Sequence, residues 1–98
     1  MELPVKYGQL SPAMRDKVRE EYVRLQKNVC AYCGEPLTGE PRSDIKSKEI
    51  NKGLFPSAMF MNPVHLHHDR STGLTTGAVH CYCDAVIWQY DRSREWKK

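Results

Sequence analysis

The segment from Val64 to Asp84, VHLHHDRSTGLTTGAVHCYCD, constrains the fold of this chain more than any other feature. It contains all four histidines of the protein and two of its four cysteines. The other two cysteines lie upstream in the CAYC motif of residues 30–33. Imidazole and thiolate groups are the side chains that most readily bind transition metals in proteins. The segment therefore predicts two metal sites, one that stabilises the fold and one that supports chemistry.

The length of the chain makes a stabilising metal plausible on physical grounds. A chain of 98 residues forms one small domain, residues 1–98, and such a domain buries only about 60–65% of its unfolded surface. Hydrophobic residues are 40% of the sequence, and this figure includes the cysteines. A core of this size usually needs a metal or a partner chain as a staple. We therefore expect a structural zinc ion.

Disulfides are the other use that four cysteines can have. The first residues lack the apolar core of a secretory signal, and no apolar run approaches the roughly 18 residues of a membrane span. We expect a reducing, cytoplasmic location without membrane association, where Cys-x-x-Cys favours zinc or redox chemistry. The net charge of +3 is by itself weak evidence for a nucleic-acid partner.

The N-terminal part of the chain predicts one helix over about residues 12–27. Ser11 and Pro12 are typical of a helix N-terminus. An apolar stripe follows at helical spacing, and we interpret it as core packing. The stripe consists of Met14, Val18, Tyr22 and Leu25.

The C-terminal part predicts a hairpin followed by a helix. Residues 64–67 and 74–80 have the patterns of strands, and residues 81–92 favour a helix. Residues 38–57 are polar and rich in turn formers, so we expect at most short elements there. The predicted class is a small α+β fold with a ββα core over about residues 64–92 and an additional N-terminal helix.

The structural zinc site needs four ligands, commonly two from each of two short loops. Cys30 and Cys33 provide the first pair, in a zinc knuckle over residues 30–33. Cys83 provides a third ligand, and either His80 or Cys81 can provide the fourth. We favour His80 because its spacing to Cys83 repeats that of the first pair. Cys81 remains the alternative zinc ligand.

The second site is predicted from the three remaining histidines and two carboxylates. On a strand His65 and His67 point to one face and His68 to the other. One histidine can therefore bind a metal while its neighbour stays free as a base. Asp84 opens the following helix next to the zinc site. A carboxylate there can meet a strand histidine across a hard divalent ion such as Mg²⁺ or Mn²⁺.

These residues together resemble the His-Me finger nucleases, also called HNH endonucleases, and most closely the phage recombination endonuclease VII group. The resemblance extends from about Cys30 to Tyr90, without residues 38–60, and it implies the ββα-metal fold. The matching elements, in chain order, are Cys30-x-x-Cys33, His65-Leu66-His67-His68-Asp69, Thr72-Gly73, Gly77 and Cys83-Asp84.

By this resemblance His68 is the general base, and His67 and Asp84 hold a catalytic Mg²⁺ or Mn²⁺. Many members have asparagine where this chain has Asp84, so the aspartate adds a negative charge beside the metal. The endonuclease VII group often has histidine at the position of Arg70, which can still stabilise a phosphate. With Arg70, two further residues are possible auxiliary residues: His65 and Asp69.

The zinc positions of the family also match. Cys30, Cys33 and Cys83 occupy three of them, and His80 occupies the fourth, which is usually cysteine. The implied function is metal-dependent DNA endonuclease activity, by nicking or by double-strand cutting, on duplex or branched DNA. A homodimer is possible, through the helix of residues 12–27 or through Trp88 and Trp96, although core packing is the expected role of Trp88. For a phage-encoded protein the location would be the host cytoplasm.

The sequence alone also permits two other functional interpretations. The first is a non-catalytic zinc module that binds nucleic acid or protein, for which the hairpin histidines would be dispensable. The second is a thiol or redox protein that uses Cys81 and Cys83, for which disulfide formation would release zinc.

Overall fold

The computed structural model describes residues 2–51, 53, 55 and 61–90, and it has the small α+β class that the sequence predicts. A short 3₁₀ turn precedes the first helix. In the described part of the chain, no helix has the length and apolar character that crossing a membrane requires. The elements are α1 (Pro12–Leu25), α2 (Ser43–Lys46), β1 (Val64–His68), β2 (Thr75–His80) and α3 (Cys81–Tyr90).

Helix α1 begins where the sequence predicts. The Ser11 hydroxyl accepts a hydrogen bond from the Met14 amide at 3.2 Å, and Pro12 occupies the first helical position. The hydroxyl satisfies one free amide of the helix N-terminus, and the proline has no amide hydrogen that would need a partner there. The helix ends before Lys27, which together with Asn28 has a positive φ and turns the chain towards the CAYC motif.

The apolar stripe of α1 is only partly core, which corrects the sequence interpretation. Val18 is buried to 1% exposure and Tyr22 is partly buried, but Met14 is 40% exposed and Leu25 is 54% exposed. The buried middle of the helix lies against the hairpin, whereas both ends extend beyond it. A two-stranded sheet is too narrow to cover a helix of four turns.

Strands β1 and β2 form one antiparallel hairpin. Val64 pairs with His80 at one end, and the register is regular as far as His67 opposite Gly77. An irregularity follows, because His68 pairs with Thr75 and leaves one residue of β2 unpaired. Bulges of this kind bend a strand and re-aim its side chains, and this one lies at the two adjacent histidines of the motif.

The outer edge of β2 is covered by two separate parts of the chain. At its start, the Thr75 amide donates to the Val5 carbonyl at 2.9 Å. Further along, the Gln26 side chain accepts from the Ala78 amide and donates to the Ala78 carbonyl, both at 2.9 Å. The side-chain amide thus makes the pair of hydrogen bonds that the backbone of a neighbouring strand would make. An edge covered in this way is protected from pairing with other chains.

The core is built around sulfur rather than around large aliphatic residues. Three of the eight buried residues of the main cluster are cysteines. The rest are small or medium aliphatic side chains from the loop, α2, the hairpin and α3. The cluster consists of Cys30, Cys33, Leu37, Ile45, Ala78, Val79, Cys83 and Val86. A core with so little aliphatic volume needs another source of stability, as the composition indicates.

Helix α3 continues directly from β2 and holds the polar loop that follows α2. The Tyr82 hydroxyl lies within hydrogen-bond distance of the carbonyls of Lys46 and Lys48 and shares its one proton between them. Gln89 and Tyr90 both donate to the Glu49 carbonyl, at 2.9 and 2.7 Å. Residues 91 and 92 of the predicted helix lie outside the described residues, as does Trp96 of the predicted dimer surface. Trp88, expected to pack in the core, is 38% exposed.

Candidate metal centres

Four side chains converge to form a buried tetrad that could hold a metal ion. They are Cys30, Cys33, His80 and Cys83, and their ligand atoms all lie within 4.8 Å of one another. Among the described residues, no other set of three or more histidine, cysteine or acidic groups meets this closely. Three sulfurs and one imidazole nitrogen are a donor set that suits zinc in tetrahedral geometry.

The CAYC motif presents its sulfurs through a tight backbone turn. The Cys30 amide donates to the Glu35 carbonyl at 2.8 Å, and the Gly34 amide donates to the Cys30 carbonyl at 3.0 Å. Gly34 has φ +84°, a conformation that glycine adopts without strain. The Tyr32 amide points at the Cys30 sulfur at 3.4 Å. Amide donors of this kind stabilise a thiolate.

The thiols of the tetrad influence one another strongly. A hydrogen bond from Cys83 lowers the pKa of Cys30 to about 4, while the same contact raises the pKa of Cys83 above its usual range. The pair therefore shares one proton, with the negative charge on Cys30. Zinc binding would release that proton, because a coordinating thiol is deprotonated.

His80 is oriented for ligation by its second ring nitrogen. Its Nε2 lies 2.8 Å from the Pro36 carbonyl oxygen, which can only accept, so Nε2 carries the proton. Its Nδ1 is then unprotonated and lies 3.4 Å from the Cys33 sulfur and 3.6 Å from the Cys83 sulfur. A backbone carbonyl on the far nitrogen is the usual way in which proteins fix a metal-binding histidine.

Cys81, the alternative ligand, does not belong to the tetrad. It is the first residue of α3 and is half-buried, and burial raises the pKa of its thiol. Its neighbours in sequence, His80 and Cys83, both point into the tetrad. The one-residue spacing to Cys83 does not bring the Cys81 sulfur to the same point.

A second polar cluster lies where β1 meets α3. The His65 Nδ1 and the Asp84 Oδ2 are 2.9 Å apart, and both side chains are largely buried, at 16% and 13% exposure. The sequence analysis assigned His65 only a possible auxiliary role. In the structure His65 is the residue that holds the Asp84 carboxylate in place, and it leaves the other carboxylate oxygen for a further interaction.

His67 is held by a hydroxyl of β2. Its Nδ1 lies 2.6 Å from the Thr76 Oγ1, and that hydroxyl also lies 3.2 Å from the His67 carbonyl oxygen. The hydroxyl has one proton, which it donates to the carbonyl, so the Nδ1 of His67 is the donor to Thr76. The Nε2 of His67 is then the unprotonated nitrogen and has the lone pair that a metal ligand requires.

His68 is turned towards the N-terminal segment. Its ring stacks on Tyr7 with the ring centroids 4.1 Å apart and an angle of 11° between the planes. Within the described residues no hydrogen bond holds its ring nitrogens, so stacking alone fixes the ring. His65 and His68 thus lie against different neighbours, which agrees with the alternation of a strand.

The environment of His68 favours a neutral imidazole. Burial lowers the pKa of His68 below its ordinary value of 6.5, and the electrostatic effect of the neighbouring His67 lowers it further. The Asp84 carboxylate acts in the opposite direction, and Arg15 and Arg70 each make a smaller lowering contribution. A lowered pKa leaves His68 unprotonated near pH 7, which is the state that a general base needs.

The other two possible auxiliary residues have different roles. Asp69 Oδ1 accepts from the Ser71 amide at 2.8 Å and from the Ser71 hydroxyl at 2.7 Å. These contacts shape the turn of the hairpin, as Asx turns commonly do. Arg70 places its guanidinium carbon 3.8 Å from the ring centroid of Trp88, a cation–π contact at the surface.

Sequence reasoning missed three residues of this region. Tyr7 precedes the predicted helix of residues 12–27, in a segment without a predicted element, and Arg15 lies off the apolar stripe of that helix. Thr76 was seen only as part of a strand. Tyr7 contacts the hairpin across a large sequence separation that no local pattern encodes, and Arg15 packs on Tyr7. The position of Thr76 opposite His67 could have been inferred only from the correct register.

Comparison with models of known protein families, with curated proteins and with solved structures gave no match for this chain. The function therefore has to be inferred from the chemistry of these two clusters together with the motif resemblance.

Proposed function

We propose that this protein is a metal-dependent DNA endonuclease of the His-Me finger type. The observation that carries the proposal is how the motif residues of the hairpin and of the first turn of α3 are held by their neighbours. His68 is stacked on Tyr7 and favoured in its neutral form. The Asp84 carboxylate is held by His65, and the Nδ1 of His67 is held by the Thr76 hydroxyl. A neutral histidine base together with two candidate metal ligands suits phosphodiester hydrolysis.

The residues fit a hard divalent ion such as Mg²⁺ or Mn²⁺. Asp84 offers a carboxylate oxygen, and His67 offers the unprotonated Nε2 that the Thr76 contact leaves. When bound there, such an ion would supply Lewis-acid stabilisation of the charge that develops on the departing 3′ oxygen. His65 and Thr76 act as supports for these ligands, a role that commonly affects metal affinity strongly.

The proton transfer belongs to His68. In the proposed reaction its neutral imidazole accepts a proton from water, and the resulting hydroxide attacks the scissile phosphorus in line with the leaving oxygen. The stack on Tyr7 fixes the plane of the ring without using either ring nitrogen. The departing 3′ oxygen takes up a proton from solvent water, so the products carry a 5′ phosphate and a 3′ hydroxyl, as the resemblance implies. Arg70, supported on Trp88, can contribute positive charge near the substrate.

The test is cleavage of supercoiled plasmid by zinc-loaded protein, with Mn²⁺ or Mg²⁺ added in one set of reactions and omitted in another. We expect metal-dependent nicking, and we expect His68→Ala to slow it by about 10²- to 10⁴-fold, the usual value of general-base catalysis. Zinc content and thermal unfolding of the variant check that its fold is intact. Wild-type rates in a folded His68→Ala variant would refute the assignment of the base.

A non-catalytic zinc module is the second candidate, and the buried tetrad favours it as much as it favours a nuclease. This candidate predicts that plasmid stays intact under every metal condition while the protein still contains zinc. A thiol-based function predicts instead that oxidation forms a reversible disulfide and releases zinc. The plasmid assay, combined with zinc analysis before and after oxidation, separates these outcomes.

A further inference from the structure

Arg15 differs from the other arginines of α1 because it has no acidic partner among the described residues. Arg19 contacts Asp16 at 3.1 Å, and Arg24 contacts Glu21, each pair one turn apart. For Arg15 no ion pair is found in the part of the chain that the structure describes. Its Nε is buried and has no hydrogen-bond partner among the same residues. A buried donor without an acceptor is costly and therefore calls for an explanation.

The guanidinium of Arg15 belongs to the same stack as the candidate base. Its central carbon lies 4.2 Å from the ring centroid of Tyr7, and the Tyr7 ring in turn stacks on His68. Tyr7 and Arg15 are eight residues apart, whereas His68 lies more than 50 residues further along the chain. Arg15 is therefore the one cation of α1 that the fold places beside the motif histidines.

The backbone fixes this stack against the hairpin. The Tyr7 amide donates to the Gly73 carbonyl at 2.8 Å, and the Lys6 ammonium donates to the Thr72 carbonyl at 3.1 Å. Tyr7 is thus tied to the hairpin turn by its own backbone. A cation that is held before the ligand arrives loses less conformational entropy on binding than a free surface lysine does.

We infer that Arg15 binds a phosphate of the nucleic-acid backbone next to the phosphate that is cleaved. The inference rests on the proposed function, because it takes His68 to mark the reacting phosphate. A guanidinium presents several donors in a fixed plane and recognises phosphate oxygens in pairs. Because its Nε is buried, Arg15 would bind the phosphate through its terminal Nη groups, which have no hydrogen-bond partner among the described residues and are not buried.

The competing explanation is that Arg15 serves only to pack on Tyr7. Arg15→Met distinguishes the two, because methionine keeps an unbranched side chain that favours helix and can pack on the ring, but it has no charge and no donor. Lys17→Met is the matched control. It makes the same change of charge on the same helix at an exposed position.

The measurement is the salt dependence of binding to a short fluorescent DNA duplex, by anisotropy, with zinc-loaded protein and without added Mg²⁺ or Mn²⁺. Loss of one phosphate contact should lower the slope of log K against log salt by about 0.9. The affinity lost between about 50 and about 200 mM salt should then shrink roughly threefold to fourfold relative to wild type. Lys17→Met should keep the wild-type slope, and Arg15→Lys should restore most of it.

The outcomes separate this inference from the proposed function. If the protein cleaves plasmid but a folded Arg15→Met variant keeps the wild-type slope, the Arg15 contact is refuted and the nuclease stands. If Arg15→Met lowers the slope as expected while the wild-type protein does not cleave plasmid, the phosphate contact stands and the nuclease is refuted. Wild-type protein that fails to bind the duplex refutes the contact outright. If Arg15→Met does not fold, Arg15→Gln, also neutral, is measured in its place.

Discussion

Removing His80 from the tetrad should destabilise the protein far more than removing its neighbour Cys81. His80→Ala deletes one of the four converging ligand atoms, together with the contact that its Nε2 makes to Pro36. Cys81→Ala deletes a half-buried sulfur that points elsewhere. The two adjacent substitutions therefore separate the two possible fourth ligands within otherwise identical chains.

The expected magnitude follows from dividing the zinc-binding free energy among the ligands. Zinc binding to small structural sites is worth about 10–16 kcal/mol, so one ligand of the four contributes about 3 kcal/mol on average. At a fixed free zinc concentration that saturates the site, this loss lowers the free energy of unfolding by a similar amount. The total for a chain of 98 residues is only about 5–15 kcal/mol, so the loss is large.

In thermal unfolding, about 1 kcal/mol shifts the midpoint of a domain of this size by roughly 4–8 °C. His80→Ala should therefore lower Tm by roughly 12–24 °C. Cys81→Ala removes one sulfur from a partly buried position, which costs less than about 1 kcal/mol. Its Tm should lie within roughly 5 °C of the wild-type value.

The assay is circular-dichroism melting with and without a chelator, together with zinc analysis of the purified variants. Wild type and Cys81→Ala should contain one zinc per chain and lose stability in chelator. His80→Ala should contain less zinc and melt at a lower temperature than wild type. Cys30→Ser should show the same two losses. The opposite order, with Cys81→Ala losing zinc and His80→Ala keeping it, would refute the assignment of the fourth ligand. An unchanged wild-type Tm in chelator would refute a structural role for zinc.

Two further substitutions test the fold and the hairpin cluster. A Cβ at Gly77 would lie 2.8 Å from the Gln26 Oε1, so Gly77→Ala should lower the free energy of unfolding in urea by about 1–3 kcal/mol. A Cβ at Gly8 would meet nothing within 4 Å, so Gly8→Ala should change that free energy by less than about 0.5 kcal/mol. Equal effects of the two substitutions would show that the Gln26 contact is not tight. Thr76→Val removes the hydrogen-bond partner of the His67 Nδ1. The rate of plasmid nicking should therefore fall about 10- to 100-fold at low Mn²⁺ concentration and recover as the Mn²⁺ concentration is raised. An unchanged rate at low Mn²⁺ would argue against His67 as a metal ligand.

The elements of the fold follow from local patterns in the sequence. The Ser-Pro signal defines the start of α1 because capping depends on adjacent residues only. The hairpin boundaries follow from alternation and from the Asp69 turn, which are equally local. The residues of the tetrad could also be predicted from the sequence, because ligand spacing is dictated by how a short loop or helix turn can surround one ion. In each case the physical cause lies within a few residues of the pattern.

The parts that could not be predicted depend on contacts between distant segments. Nothing in the sequence around Gln26 indicates that its side chain pairs with the backbone of Ala78. The exposure of Met14 and Leu25 depends on the width of the sheet beneath α1. The stack of Tyr7 on His68 depends on the route of the N-terminal segment along β2. Long-range packing decides all of these, and local propensity does not encode it.

The two clusters are mechanically connected through the junction of β2 and α3. His80 ends the strand, Cys83 lies in the first turn of the helix, and both point into the tetrad. Asp84 follows Cys83 directly, so a zinc ion that fixes the junction also fixes the carboxylate that His65 holds from β1. The same contact suits an aspartate at position 84 better than an asparagine. The N–H donor of His65 offsets its additional negative charge, which a neutral amide would not need.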